Sequence, residues 1–299
     1  MGRQLKIIND ADLFKLQECL LRMYCDIKAV CDKYNLTIVL GGGSALGAVR
    51  HNGFIPWDDD LDLNMPRKDY EKLLSVLENE LGEEYYFSAP HSKDVESQFL
   101  KIHKKDTIFS DIFDKCENTG VWIDIFPIDY APNSVLMQKV KGFFVDVLVY
   151  ISISLFISQK SNELVFKHYK ENGRFIRYCI AKMTNILLPI SHKKIFNFID
   201  SIAFCKNASN YVTVATGRAR YAGECMPIAD LFPVRELYFD GIKVNVYNNV
   251  EGYLSRLYGD YMKIPPVEKR EHHSVSKFYI SDDVGWLTER AKNYTLKRK

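Results

Sequence analysis

Apolar side chains return every three or four positions at Leu13, Leu16, Leu20, Tyr24, Ile27, Val30 and Tyr34, which predicts one amphipathic helix over residues 10–34. Thr37–Leu40 is a short continuous apolar run and reads as a buried strand that stops at Gly41-Gly42-Gly43. A short helix over 44–50 follows. From Asp60 to Asn64 polar and apolar positions alternate, the period of a strand with one face in the core. Pro66 suits the first turn of a helix that buries Tyr70, Leu73, Leu74 and Leu77 and ends at Gly82. Strands are expected at Tyr85–Ser88, Gln98–Ile102, Thr107–Ser110 and Gly120–Pro127. Others are expected at Tyr211–Thr216 and at Val234–Phe239, where Asp240-Gly241 marks a hairpin turn into Ile242–Val246. A last helix, Val250–Tyr258, is entered by Asn248-Asn249 and closed by Gly259.

Between 134 and 206 the period is helical and the content strongly apolar. The chain therefore divides into a core over 1–133, an inserted helical block over 134–206, and a segment over 207–299 that returns to strands and completes the cleft. The class is α/β, or α+β, with a mixed sheet and flanking helices. Within the block, Gly142–Ser158 is almost unbroken apolar sequence interrupted by Asp146. Two environments suit it: the protein interior, or the surface of a membrane as a docking helix. A full span is disfavoured, because about 17 residues is the lower limit of bilayer thickness and an acid at mid-membrane costs about 2.5 kcal/mol or more.

Composition narrows the field by exclusion. With 299 residues there is enough chain for a sizeable core. Forty Lys and Arg against 38 Asp and Glu, with no basic stripe interleaved with aromatics, leave no sign of a nucleic-acid partner. Seven cysteines, scattered and without a C-x-x-C pair, fit reduced thiols of a cytoplasmic protein better than a disulfide frame or a zinc site. The first residues lack the apolar stretch of a signal peptide.

The chemistry concentrates in two places. A turn of glycines with a serine, Gly42-Gly43-Ser44, exposes backbone N–H groups suited to phosphate. Some sixteen residues later comes Trp57-Asp58-Asp59-Asp60-Leu61-Asp62-Leu63. On a strand, Asp60 and Asp62 share a face and can share a hard cation. Asp59 then faces away from the pair, and Asp58 is at most a helper. Asp124, between isoleucines on another strand, supplies a third carboxylate, as metal ligand or general base. Ionised carboxylates beside a core are costly without a cation, so the set Asp60, Asp62 and Asp124 is expected to be both catalytic and metal-ligating, with Mg²⁺ the expected ion and Mn²⁺ the alternative. An EF-hand is excluded, since Leu63 and Asp69 stand where its glycine and glutamate belong. Arg50, Lys101, Lys269, Arg270 and His272 are candidate phosphate or substrate contacts. Trp57, Trp122 and Tyr130 are the aromatic candidates to hold a quaternary ammonium. These parts suit phosphoryl or nucleotidyl transfer; a retained but inactive site in an assembly factor is the alternative from another class.

The residues Leu40 through Asp62, continuing into Met65-Pro66-Arg67-Lys68-Asp69-Tyr70, closely resemble the LicD family. Val121–Pro127 resembles its second block, and Tyr258–Met262 with Pro265-Pro266 and Lys269-Arg270 its third; Tyr247 stands where the family often has proline. The resemblance implies a nucleotidyltransferase-like fold and puts Gly43-Ser44, Asp60, Asp62 and Asp124 at its functional positions. It also implies transfer of phosphocholine or a related phospho-alcohol from CDP-choline or another CDP-alcohol, with CMP released, as in relatives such as fukutin-related proteins that use CDP-ribitol. The implied acceptor is a sugar hydroxyl of a lipid-linked or polymeric cell-surface glycan: teichoic acid, capsule or lipopolysaccharide. Such an acceptor would give the 142–158 segment a purpose at the inner face of the bacterial plasma membrane.

Overall fold

A computed structural model describes residues 8–93, 95–113, 120–205, 207–270, 273 and 275–281. The protein is a mixed α/β structure built on a curled sheet. Helix α1 (Asp10–Lys33) leads into β1 (Val39–Leu40), α2 (Gly42–His51), β2 (Asp62–Pro66) and α3 (Arg67–Leu81). Strands β3 (Tyr85–Ser88), β4 (Leu100–Lys104), β5 (Ile108–Asp111) and β6 (Trp122–Ala131) follow. The helical block consists of α4 (Val135–Gln159), α5 (Glu163–Glu171), α6 (Phe175–Leu187) and α7 (His192–Ala203). The chain then returns through β7 (Tyr211–Thr213), the short α8 (Arg220–Gly223), β8 (Met226–Pro227) and α9 (Ile228–Leu231). It closes with the hairpin β9 (Arg235–Phe239) and β10 (Ile242–Val246), then α10 (Val250–Tyr258) and β11 (Val275–Tyr279).

The sheet runs β1-β2-β6-β4-β3, with β7 and β8 continuing from the end of β6. β6 is the hub. Its first residues pair antiparallel with β4, its middle pairs parallel with β2, and its end pairs antiparallel with β7. Leu63, Met65, Ile123 and Ile125 are completely buried among the side chains of α1 and α3. That interior is continuous, and it fixes the register that the functional face inherits.

Two boundaries differ from the sequence expectation in ways that matter. β2 begins at Asp62 rather than Asp60, so residues 58–61 lie outside the strand and its two-residue period does not govern them. α2 begins at Gly42, so the glycine turn is itself the first turn of the helix. Smaller differences are the shift of the fourth strand to Leu100–Lys104, the extension of β6 to Ala131, and β11, which the periodicity did not signal. The hairpin turn at Asp240-Gly241 is present, with positive φ at both residues (49° and 86°), the backbone of a two-residue turn that matches strand twist.

A buried ion-pair cluster ties the helical block to the sheet. Arg67, the first residue of α3, donates to both carboxylate oxygens of Asp129 on β6 at 2.8 Å and to Asp200 on α7 at 2.8 Å.

Candidate functional site

Three strands set the functional row. Asp62 on β2 is the register partner of Asp124 on β6, and Asp124 is the register partner of Lys101 on β4. Side chains of directly paired residues project from the same face, so the two acids and the lysine stand side by side. Lys101 Nζ lies 2.7 and 3.0 Å from the two Asp124 oxygens and 4.7 Å from the centre of the Trp122 ring. The next residues on this face, Asn64 and Phe126, form the floor of the adjoining cavity.

The glycine turn is held against this row by specific contacts. Gly41 N–H donates to the Asp62 carbonyl at 2.9 Å, and Asp62 N–H donates to Ser44 Oγ at 2.9 Å. Gly42 N–H donates to the Tyr253 hydroxyl at 3.0 Å. Gly42 has φ +43°, and a Cβ there would lie 3.3 Å from Asp62 Oδ2, while one on Gly43 would lie 3.2 Å from Asp58 Oδ2. Glycine suits both positions: the left-handed backbone of Gly42 strains any side chain, and the Asp58 carboxylate would have to give by a few tenths of an ångström to admit a Cβ on Gly43. Tyr247 is fully buried; its hydroxyl accepts from Asn64 Nδ2 at 2.6 Å, and its ring stacks on Tyr253 at 4.1 Å. The departure from proline therefore adds support beneath the glycine turn.

The acidic segment 58–62 is anchored by Gln17 of α1, which donates to the Asp58 carbonyl at 2.9 Å. Asp59 is buried, and it does not stand apart from the pair. It accepts from His273 N–H at 2.8 Å, and its other oxygen lies 2.8 Å from His273 Nδ1. Among the described residues, the group whose ligand atoms all fall within 4.8 Å of one another is Asp59, Asp60 and His273. The expected trio of Asp60, Asp62 and Asp124 is not drawn together that tightly, and Asp124 is engaged by Lys101. The strand period that turned Asp59 away does not apply, because the strand starts three residues later.

These acids perturb one another. Burial, then the Asp60 and Asp59 charges, push Asp58 well above the usual carboxylate range. Burial followed by Asp60 and Asp124 does the same to Asp62. Asp60 is raised to about 6, chiefly by burial, with His273 and Lys101 pulling it down. Burial would lower the His273 imidazole, but the Asp59 hydrogen bond and the charges of Asp59 and Asp60 prevail and hold it at about 9. Asp58, Asp59, Asp60 and Asp62, drawn together beside His273, form a carboxylate-rich donor set that suits a divalent cation with oxygen ligands.

A cavity of about 490 Å³ opens beside this cluster. Its lining includes Gly42, Gly43, Asp58, Asp59, Asp60 and Asp62 together with Arg50, Lys269, Arg270 and His273. Arg50 donates to the Tyr261 carbonyl at 2.7 Å, which holds the 261–263 loop against α2. Of the candidate contacts, the cavity thus gathers Gly42, Gly43, Arg50, Lys269 and Arg270. Ser44 is buried, with its hydroxyl occupied in pinning Asp62; Lys101 stands behind, on the row with Asp124. His272 lies outside the described residues. Trp57 lines the cavity, but the Arg270 guanidinium sits 4.0 Å over its ring. Trp122 carries Lys101 on its face, and neither it nor Tyr130 is among the lining residues. The aromatics presented to the cavity besides Trp57 are Phe126, Tyr253, Tyr258 and Tyr261. His273 is the candidate site residue the sequence reading passed over. The adjacent pair His272-His273 signalled it, but the choice between them depends on a contact with a residue 214 positions away.

Residues 35–141 match the family described as LicD/FKTN/FKRP, nucleotidyltransferase domain. The chain is 30% identical over 262 residues to the lipopolysaccharide cholinephosphotransferase LicD of Haemophilus influenzae, covering 84% of this chain and 92% of that protein. A shorter stretch of 58 residues is 38% identical to an uncharacterised protein of Rickettsia prowazekii, covering 19% of this chain and 22% of that one. With the glycine turn, Asp58, Asp59, Asp60, Asp62 and the C-terminal cations gathered at one cavity, which Asp124 does not line, and with near full-length similarity to a cholinephosphotransferase, this chain belongs to the LicD family.

Proposed function

We propose that the protein transfers a phospho-alcohol, most readily phosphocholine, from a CDP-alcohol to a sugar hydroxyl of a cell-surface glycan precursor, releasing CMP. The observation that carries this reading is the lining of one cavity, which brings a glycine-started helix and a carboxylate cluster together with Arg50, Lys269 and Arg270. A diphosphate needs those cations to neutralise its charge. The Gly42 N–H is taken by Tyr253, so the Gly43 and Ser44 N–H groups of the first turn of α2 would take an oxygen of the transferred phosphoryl group. The new bond joins the sugar oxygen to the phosphocholine phosphorus, and the bond that breaks joins that phosphorus to the bridging oxygen, which leaves on CMP. The hydroxyl proton passes to a carboxylate oxygen of the cluster.

Asp60 and Asp62, with Asp59 and His273 alongside, would hold Mg²⁺ or Mn²⁺, which supplies charge neutralisation and lowers the pKa of the attacking hydroxyl. Lys101 Nζ occupies both Asp124 oxygens, which suits Asp124 better to supporting the cation site than to accepting a proton. The cationic loop around Lys269 and Arg270 screens the donor diphosphate from water as well as holding it. The reaction is proposed to take place in the cytoplasm, consistent with scattered cysteines and a nucleotide-activated donor.

The test is CMP release from CDP-choline, CDP-ribitol, CDP-glycerol and CDP-ethanolamine, with and without a glycan acceptor, in wild type and Asp62→Asn. Acceptor-dependent CMP release from one donor, lost in Asp62→Asn at an unchanged thermal midpoint, is the expected result. Pyrophosphate as the product, from a nucleoside triphosphate, would make the protein a nucleotidyltransferase instead. No product with any donor would point to a non-catalytic assembly factor, and full activity in Asp62→Asn would remove Asp62 from the cation site.

A further inference from the structure

Over its first half, helix α4 is folded inside out. Its buried residues there are Gln138, Gly142 and Val145, followed in the second half by Ser152, Ser154, Leu155, Ile157 and Ser158, while Leu136, Val140, Phe143, Val147 and Tyr150 recur at three- and four-residue spacing on the exposed side. Phe143 and Phe144 are 65% and 60% exposed. The last turns of the helix, 152–158, are mostly buried, so the 142–158 run is divided between interior and surface. Asp146 is turned to the inner side, where it bonds the Tyr221 backbone. Against α7 the exposed side of α4 forms an open groove of about 450 Å³ whose walls, Phe144, Val147, Leu148, Phe198 and Ile202, are apolar, with Lys141 beside them. α6 repeats the inversion: Ala181 is buried, while Ile176, Met183 and Leu187 are exposed.

A helix that buries small and polar residues and exposes its large apolar ones is suited to a surrounding less polar than water. Charge says which one. Residues 134–206 carry eleven Lys and Arg against four Asp and Glu, in a chain whose total is +2, so the remainder is net acidic. Exposed cations stand within one helical turn of the exposed apolar residues: Lys139 before Phe143, Arg177 before Ile180, and Lys194 before Phe198. Apolar residues flanked by cations complement an anionic lipid surface.

We propose that the α4/α7 face of the helical block docks on an anionic phospholipid bilayer, with acyl chains entering the α4/α7 groove and Lys139 and Lys194 at the headgroups. The Arg67–Asp129–Asp200 cluster fixes α7 to the sheet, so docking would hold the catalytic cleft at a set height above the membrane. The proposal stands independently of the chemistry in the cleft.

Vesicles of phosphatidylglycerol and phosphatidylcholine, 1:1, should sediment the full chain at least about tenfold better than pure phosphatidylcholine vesicles, an advantage that 0.5 M salt reduces. Phe143→Ser/Phe144→Ser/Phe198→Ser should lower binding to the mixed vesicles about tenfold or more, and Lys139→Gln/Lys194→Gln should lower the preference for phosphatidylglycerol. Phe144→Trp serves where the triple variant fails to fold: brominated acyl chains should quench its fluorescence beyond the wild-type change. Absence of vesicle binding, or of that quenching, overturns the proposal. So does a wild-type dimer that the triple variant converts to monomer without any vesicle association, since the face would then be an interface between two copies of the chain.

Discussion

Replacing Arg67 by Met should cost the protein about 3–5 kcal/mol, the penalty for leaving a buried carboxylate without its cation. Asp129 is 1% exposed, and both its oxygens accept from Arg67 at 2.8 Å. Asp200 loses the same partner, although it retains His91 at 3.3 Å. With a urea dependence of at least about 3 kcal/mol per molar for a chain of this size, the midpoint should fall by about 1 M. The informative experiment is a double-mutant cycle with Asp129→Leu. Arg67→Met strands the Asp129 carboxylate, whereas Asp129→Leu leaves Arg67 its bonds to Asp200 and Glu71; the double variant strands neither member of this pair and should recover about 2 kcal/mol relative to the sum of the singles. Urea unfolding followed by far-UV circular dichroism measures it, and tryptic cleavage within 134–206 reports whether the block loosens first. A loss under about 1 kcal/mol in Arg67→Met, or strict additivity, would show that this cluster does not hold the block to the sheet.

Burial raises Glu224 to about 7 from an ordinary 4.5. Below pH 4.5 folded and unfolded chains both hold its proton; between 4.5 and 7 only the folded chain does, so stability drains away as pH rises. Above pH 7 a cost of about 3 kcal/mol remains. Glu224→Gln should therefore raise the thermal midpoint at pH 8.5 and leave it nearly unchanged at pH 4.5; equal shifts at both would refute the assignment. Ser44→Ala should cost about 1–3 kcal/mol, because the Asp62 N–H loses its buried acceptor. It should also lower kcat about tenfold with little change in the donor KM, since the hydroxyl positions Asp62 and does not line the cavity. A large rise in KM would instead make Ser44 a phosphate contact.

How much of the site was legible in sequence follows from distance along the chain. Asp60 and Asp62 are adjacent in a run whose alternation with Leu61 and Leu63 exposes the conflict between charge and burial, and Asp124 repeats that conflict between isoleucines. The glycine turn was visible for the same reason: a local backbone requirement leaves a local mark. Asp59 was misplaced because one residue alternates into the opposite direction only if the strand has begun, and hydrogen bonding, not composition, decides where it begins. The aromatic candidates were read from proximity in sequence, whereas Arg270 and Lys101 arrive on the Trp57 and Trp122 faces from segments remote from them.

By itself the sequence determined the α/β class, the principal helices and strands, the glycine turn, the acids of the functional row and, through long blocks of specific residues, the family. Those are set by periodicity and local backbone demands, which operate over a few residues. Tertiary structure alone decided that His273 closes on Asp59, that Lys101 answers Asp124, that Tyr247 and Tyr253 brace Gly42, and that α4 turns its phenylalanines outward. Pairings of that kind depend on which surfaces the buried sheet brings together. Nothing in an apolar helix states which of its faces will find a neighbour.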